Sequence, residues 1–283
     1  MGKSLCDSSV SARELFAVAG KVLGFDLASI CFSGPEDRLN QTDISQPAIY
    51  VASIASFRAA VESGKFDAGA VTAYAGLSLG EYTALHLSGA FGFEDGLRQV
   101  AQRGRYMQEA AVASPSGMVA LVGADEPAAR KLCEENAHGE VLVPANFNAP
   151  GQIVLSGSSA ACQRAIAAAD AMGFRALPLK VAGAFHSPLM QSAADKMAAE
   201  LAAVSFSQPA KTVYSNVTAR PHAEPQSIKR LLVEQIVSPV RWEQTMQALV
   251  AEPGGRFIEL APGKTLAGLA KRISRRLAIE SIG

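Results

Sequence analysis

The sequence predicts an α/β fold in which a ferredoxin-like unit is inserted into a larger α/β domain. Three observations carry this. An apolar, β-prone run at residues 70–76 passes through Gly76-Leu77-Ser78-Leu79-Gly80 into a helical pattern from Glu81. That is a G-x-S-x-G sequence in a strand–turn–helix setting. Residues 118–181 then alternate as βαββαβ, the order of a ferredoxin-like unit. Finally, this unit falls between a helix carrying Arg103 and a segment carrying His186, which reads as an insertion. The expected division is a core of residues 1–114 and 183–283 around an inserted unit of 115–182.

Composition sets the bounds. With 283 residues, 49% hydrophobic and 18% charged, the chain can bury a substantial core. A net charge of zero gives no bulk attraction to nucleic acid or to a membrane surface, and neither is expected as a partner. Cys6, Cys31, Cys133 and Cys162 are scattered without metal or redox spacing, so free thiols in a reducing compartment are expected, and no metal. No apolar run reaches membrane-span length, and the first residues lack the basic-then-apolar order of a signal peptide. A cytoplasmic monomer is the expectation, with plastid or mitochondrion the alternative if an N-terminal segment is missing. Asn216-Val217-Thr218 matches a glycosylation sequon and is read as chance.

The elements follow in order. Ser11 with Glu14 has the look of a capping box opening an N-terminal helix. Gly34-Pro35 marks a loop. Ser45-Gln46-Pro47 predicts a helix start with proline in the first turn, followed by the apolar stripe Ile49, Val51, Ile54 and Phe57. After the serine turn, Gly89–Gly92 is a break, and Glu94 and Asp95 suit the first turn of a helix running to about Val112. The inserted unit comprises strands at 118–122, 141–145, 152–156 and 175–181, with helices at 126–136 and 160–172. Beyond it, a helix to about Ala203, a strand at 212–215, helices at 228–236 and 241–250, a strand at 257–260 and a last helix ending near Arg276 complete the chain.

A serine on so sharp a turn needs glycines where strand and helix approach, and its hydroxyl then sits at a helix N-terminus whose free N–H groups stabilise anionic oxygen. Ser78 is therefore the candidate nucleophile. It requires a base, and there are four histidines. His86 lies two turns along the same helix, pointing away. His138 and His222 fall in polar loops, where a solvated imidazole is expected. His186 stands at a strand-to-helix edge after Ala182-Gly183-Ala184, where α/β folds place functional groups. Arg103 sits on an apolar helix face beside Gly104; an arginine so placed binds either a carboxylate-bearing ligand or an internal Asp or Glu.

These segments resemble one known family over nearly the whole length. Gly76-Leu-Ser-Leu-Gly-Glu-Tyr82, Arg103-Gly104 with Met107-Gln108, Asn146-Phe-Asn-Ala-Pro-Gly-Gln152, Gly183-Ala-Phe-His-Ser187, Ser238-Pro-Val-Arg-Trp242 and Glu259-Leu-Ala-Pro-Gly-Lys264 are similar to malonyl-CoA:acyl-carrier-protein transacylase. The resemblance implies an α/β-hydrolase-like core with the ferredoxin-like insertion. It implies transfer of malonyl from malonyl-CoA, without a bound cofactor, to the phosphopantetheine thiol of acyl carrier protein through a malonyl-serine. By the same resemblance, Ser78 is the acylated serine, His186 its base, and Gln235 the residue whose backbone carbonyl orients that base. The Leu79 N–H is an oxyanion donor, Arg103 the partner of the malonyl carboxylate, and Phe185 the residue that narrows the pocket against branched acyl groups. Met107 and Asn146, within the matching motifs, are carried over as substrate-binding.

One departure bears on activity. Family members begin with an apolar strand and a Gly-Gln-Gly-x-Gln segment whose last glutamine supplies a second oxyanion N–H. Here Met1-Gly2-Lys3-Ser4-Leu5 resembles the stretch that normally lies just after that segment. A single oxyanion donor is worth about 10²–10³ in rate, so an incomplete or poorly active form is expected. Leu77 stands where many members have histidine.

Two rival functions share these residues. A serine hydrolase would use water as acceptor and want an acid behind His186; a non-catalytic carrier-binding module would form no adduct at Ser78. A basic cluster at Lys264, Lys271, Arg272, Arg275 and Arg276 suits an acidic carrier protein, or equally a solvated helix end.

Overall fold

A computed structural model describes residues 1–251, 255–260, 262–274 and 277–283. The chain opens with helices α1 (Lys3–Ser8), α2 (Val10–Leu23), α3 (Leu27–Ser33), α4 (Glu36–Leu39) and the long α5 (Thr42–Glu62). Strand β1 (Ala73–Tyr74) leads through the serine turn into α6 (Gly80–Leu87), and α7 (Phe93–Ala113) follows. Next come β2 (Ser116–Val122), α8 (Glu126–Ala137), β3 (Leu142–Ala149), β4 (Gln152–Ser158), α9 (Ser159–Ala169) and β5 (Arg175–Pro178). The chain closes with α10 (Gln191–Ala203), β6 (Thr212–Val213), α11 (Pro225–Val237), α12 (Trp242–Ala251), β7 (Phe257–Leu260), α13 (Thr265–Ile273) and β8 (Ile279–Ile282).

Sheet pairing separates two regions. β2 to β5 form a four-stranded antiparallel sheet in the order β3-β4-β2-β5, in register from Ser116 opposite Ser158 to Val122 opposite Gln152. Its own apolar cluster, including Leu121, Leu132, Phe147 and Leu155, lies between sheet and helices α8 and α9. Outside it, β1 pairs parallel with β6, and β7 parallel with β8. The largest cluster joins α2, α5, α6, α7, α10 and α11 through residues such as Phe16, Tyr50, Leu85, Leu97, Met197 and Leu232. The two regions meet at β3: Val240 N–H donates to Ala145 O and Phe147 N–H to Val240 O, bridging Asn146 to the start of α12.

Several expectations are corrected. Ser11 and Glu14 make no capping box; Ser9 caps α2, accepting the Ala12 N–H, while both serine hydroxyls donate to Glu62 at the far end of α5. The helix expected from Ser45 begins at Thr42, with Pro47 inside it. Its start is fixed by a tertiary contact, since Gln108 Oε1 on α7 accepts the Thr42 N–H at 3.2 Å. The strand expected at 70–76 is reduced to Ala73–Tyr74, because Asp67 caps a 3₁₀ turn over Ala68–Ala70. Strand β8 has no counterpart among the sequence expectations; it is four residues long, with only Ile282 buried. Arg275 and Arg276 of the basic cluster lie outside the described residues, whereas Lys264, Lys271 and Arg272 are exposed on α13 and its N-cap.

Candidate active site

The serine turn is held by a close approach of backbone. A Cβ on Gly76 would lie 2.0 Å from the carbonyl carbon of Gly80, so no side chain fits there. Ser78 takes φ 53°, a left-handed conformation that a non-glycine residue adopts only under constraint from its surroundings. The constraint is visible. Asn216, after β6, accepts the Ser78 N–H on Oδ1 at 2.5 Å and donates from Nδ2 to Gly76 O at 2.8 Å. One amide therefore clamps both sides of the turn. Asn216 is fully buried, so the sequon is a structural asparagine.

His186 reaches the serine from the segment before α10. It also has positive φ, 57°. Gly183 brings this segment against α7, where an added Cβ would lie 2.6 Å from the Ala111 Cβ. The Ser78 hydroxyl and His186 Nε2 are 2.8 Å apart, and His186 Nδ1 is 2.8 Å from the backbone carbonyl of Gln235. A carbonyl can only accept, so Nδ1 carries the proton and Nε2 faces the hydroxyl with its lone pair. Burial, and next the nearby Arg103 charge, push the His186 pKa down to about 4, against the Gln235 hydrogen bond, which raises it. The imidazole is therefore neutral, and able to accept a proton, at ordinary pH.

Arg103, on α7, is buried, and burial lowers its pKa too. Gly104 lets α7 lie against the start of α5, where a Cβ would be 2.6 Å from Thr42 O. Nη1 donates to Gln46 Oε1 at 2.6 Å; Nη2 donates to Gln235 Oε1 at 2.8 Å and to Ser78 Oγ at 3.0 Å. All three acceptors are neutral, and no Asp or Glu among the described residues forms a salt bridge with the guanidinium. The nearest acid acting on Arg103 is Glu81, which raises its pKa through space and is joined to it only through the Gln235 side chain.

Gln235 does more than accept from the histidine. Its side-chain Nε2 donates to Ser78 O at 3.0 Å and to Glu81 Oε2 at 2.8 Å. Glu81 also accepts the Asn216 N–H at 2.9 Å and His222 Nε2 at 2.7 Å. His222 is thus a buried partner of Glu81, not the solvated loop residue expected; its side chain has no exposed surface. The local sequence Pro221-His222-Ala223 carries no sign of this, because the acid it meets stands on α6. The other two histidines behave as read: His86 packs among Tyr50, Phe91 and Phe93, and His138 ends α8 in a left-handed conformation.

Ser78, His186, Gln235 and Arg103 therefore converge. The Leu79 N–H, at the mouth of α6, has no acceptor among the described residues. Phe185 adjoins His186 and is half-buried, touching apolar residues of both regions. Met107 is buried and meets the site through Gln46, whose Nε2 points at its sulfur at 3.5 Å. Asn146 is buried on β3, and no hydrogen bond joins it to Ser78, His186 or Arg103. Sequence reasoning missed Gln46, Glu81, Asn216 and His222. Only Glu81, an acid in the first turn of the serine helix that turns out to be fully buried, had a local clue in its place beside the motif.

The chain is similar to known proteins over nearly its whole length. Residues 1–278 match the acyl transferase domain family. The chain is 42% identical over 272 residues to the malonyl CoA-acyl carrier protein transacylase of Salmonella typhimurium, covering 95% of this chain and 87% of that protein. It superposes with a TM-score of 0.95 on the crystal structure of acyl-carrier-protein-S-malonyltransferase from Bartonella henselae, at 37% identity, covering 100% of this chain and 90% of that one. A TM-score of 0.92 at 38% identity relates it to a structure of a type II PKS acyl-carrier protein in complex with its malonyl-transacylase, covering 98% of this chain and 88% of that one. The chain belongs to the acyl transferase domain family, among the malonyl CoA-acyl carrier protein transacylases.

Proposed function

We propose that this chain moves malonyl from malonyl-CoA to the phosphopantetheine thiol of acyl carrier protein, through a malonyl ester on Ser78. The observation that carries this is the contact of Ser78 Oγ with both His186 Nε2 and an Arg103 whose hydrogen-bond acceptors are all neutral. His186 takes the hydroxyl proton as Oγ attacks the thioester carbonyl, and the Leu79 N–H donates to the developing oxyanion. As the C–S bond breaks, the imidazolium returns that proton to the coenzyme A thiolate. The carrier thiol then gives its proton to His186, attacks the ester, and Ser78 leaves with the proton. Arg103 pairs with the free malonyl carboxylate. Gln235 O holds the imidazole's orientation without a charge, which stabilises imidazolium less than a carboxylate would; two thioesters of similar energy need no more.

In this reading Phe185 bounds the acyl pocket beside His186, with Met107 and Asn146 as further substrate-binding residues. The antiparallel order β3-β4-β2-β5 supports naming residues 115–182 a ferredoxin-like insertion in an α/β-hydrolase-like core of 1–114 and 183–283. No helix among the described residues is long and apolar enough to cross a membrane. The hydrolase alternative is disfavoured by the neutral carbonyl behind His186. Following malonyl-CoA with and without a carrier thiol separates the two: a transferase makes malonyl thioester, and a hydrolase releases free malonate at the same rate in both.

A further inference from the structure

We propose that the buried Glu81–His222 pair is a positioning device for the transfer, setting the serine turn and the base through Asn216 and Gln235. The inference rests on reading Ser78 and His186 as nucleophile and base. Glu81 has no exposed surface, and a buried carboxylate is tolerable only when its oxygens are supplied with donors. It has three. Oε1 takes His222 Nε2 at 2.7 Å; Oε2 takes Gln235 Nε2 at 2.8 Å and the Asn216 N–H at 2.9 Å. The donors come from α11, from the turn after β6 and from the loop leading to α11, so one carboxylate on the serine helix ties together segments distant in the chain.

Two of those donors touch the reacting residues. Gln235 O meets His186 Nδ1, and its Nε2, besides Glu81, reaches Ser78 O. Asn216 Oδ1 accepts the Ser78 N–H. Glu81 itself touches neither Oγ nor the imidazole, so its part is geometric. His222 has a single side-chain polar contact, because its Nδ1 is buried and finds no partner among the described residues. The hydrogen-bonding capacity its ring uses goes to Glu81 alone. With His222 absent, Oε1 would be a buried anionic oxygen without a donor, and the carboxylate would turn toward another. That rotation pulls on Gln235 and Asn216 and releases the imidazole and the serine turn from their set positions. Reaction geometry is sensitive to such displacements; a 1 Å misplacement costs about 10²-fold.

The test uses His222→Phe, which removes the donor while keeping bulk, and His222→Gln, which restores an N–H. With malonyl-CoA and carrier protein, His222→Phe is expected to lower kcat about tenfold to a hundredfold. KM for malonyl-CoA should stay unchanged, and His222→Gln should recover most of the rate. Nitrogen NMR of His186 supplies a readout independent of turnover: the wild-type Nδ1–H tautomer should give way to a mixture in His222→Phe and return in His222→Gln. An unchanged tautomer together with an unchanged kcat per folded molecule overturns the positioning role, whatever the melting temperature does. A wild type that shows the fixed tautomer but never acylates Ser78 would overturn the transferase reading and leave the positioning role standing.

Discussion

Arg103 Nη2 lies 3.0 Å from the Ser78 hydroxyl oxygen, so the guanidinium donates to the same atom whose proton faces His186. A dicarboxylic acyl group that pairs with Arg103 draws this donor away from the serine and cancels the charge that weakens the base. An uncharged acyl group does neither. On the proposed role of Arg103, selectivity for malonyl would arise in the chemical step as well as in binding.

Arg103→Ala is expected to slow acylation by malonyl-CoA about tenfold to a hundredfold, the worth of a charge-assisted hydrogen bond. Acylation by acetyl-CoA should be unchanged or faster. The ratio of the two rates, measured on one preparation, checks this independently of any loss of stability. An unaltered ratio would make Arg103 structural.

The pH dependence follows from His186. With an uncharged acyl donor, kcat/KM reports the free enzyme, and its acid limb should fall near pH 4, well below the ordinary imidazole range. With malonyl-CoA, the limb in kcat should lie higher, because the bound carboxylate offsets Arg103. The same depressed pKa affects stability. Between pH 6.5 and about 4 the unfolded chain binds a proton at this histidine that the folded chain refuses, so stability present above pH 6.5 is lost on acidification toward 4. His186→Asn should remove that part of the decline in a melting-temperature series.

Gly76→Ala tests the serine turn. The added Cβ would meet backbone of Gly80, which has no flexible side chain to move aside. The cost should exceed the about 1–3 kcal/mol of ordinary overpacking. Thermal melting should show a fall of many degrees or no folded protein, and an unchanged transition would mean that the turn can open without penalty.

How much of this is legible in the sequence depends on range. The serine turn shows because the approach of Gly76 to Gly80 and the strand-to-helix change occur within a few residues. The βαββαβ unit shows because its periodicities alternate cleanly. The hidden features are set by distant partners. Pro47 sits inside a helix that begins at Thr42, whose N–H is met by Gln108 on α7. Ser9 rather than Ser11 caps α2 in a cluster anchored by Glu62. His222 reads as a loop residue until Glu81 is folded against it. The family resemblance points to Gln235 for its carbonyl; the work of its side chain, which bonds Arg103, Ser78 and Glu81, has no local trace.

For carrier recognition, Lys271 and Arg272 in the last turn of α13, with Lys264 at its start, present exposed positive charge. Charge reversal at Lys271 and Arg272 should raise KM for an acidic carrier protein and weaken its salt dependence, leaving KM for malonyl-CoA alone. An equal effect on both substrates would place the change in the catalytic machinery or the fold.

The most direct measurement is intact-protein and peptide mass spectrometry after brief incubation with malonyl-CoA. The geometry predicts one added malonyl group, located on Ser78, absent from Ser78→Ala, and discharged to a pantetheine thiol faster than to water. No adduct, or an adduct on another residue that persists in Ser78→Ala, would contradict the assignment of Ser78 as the acylated nucleophile.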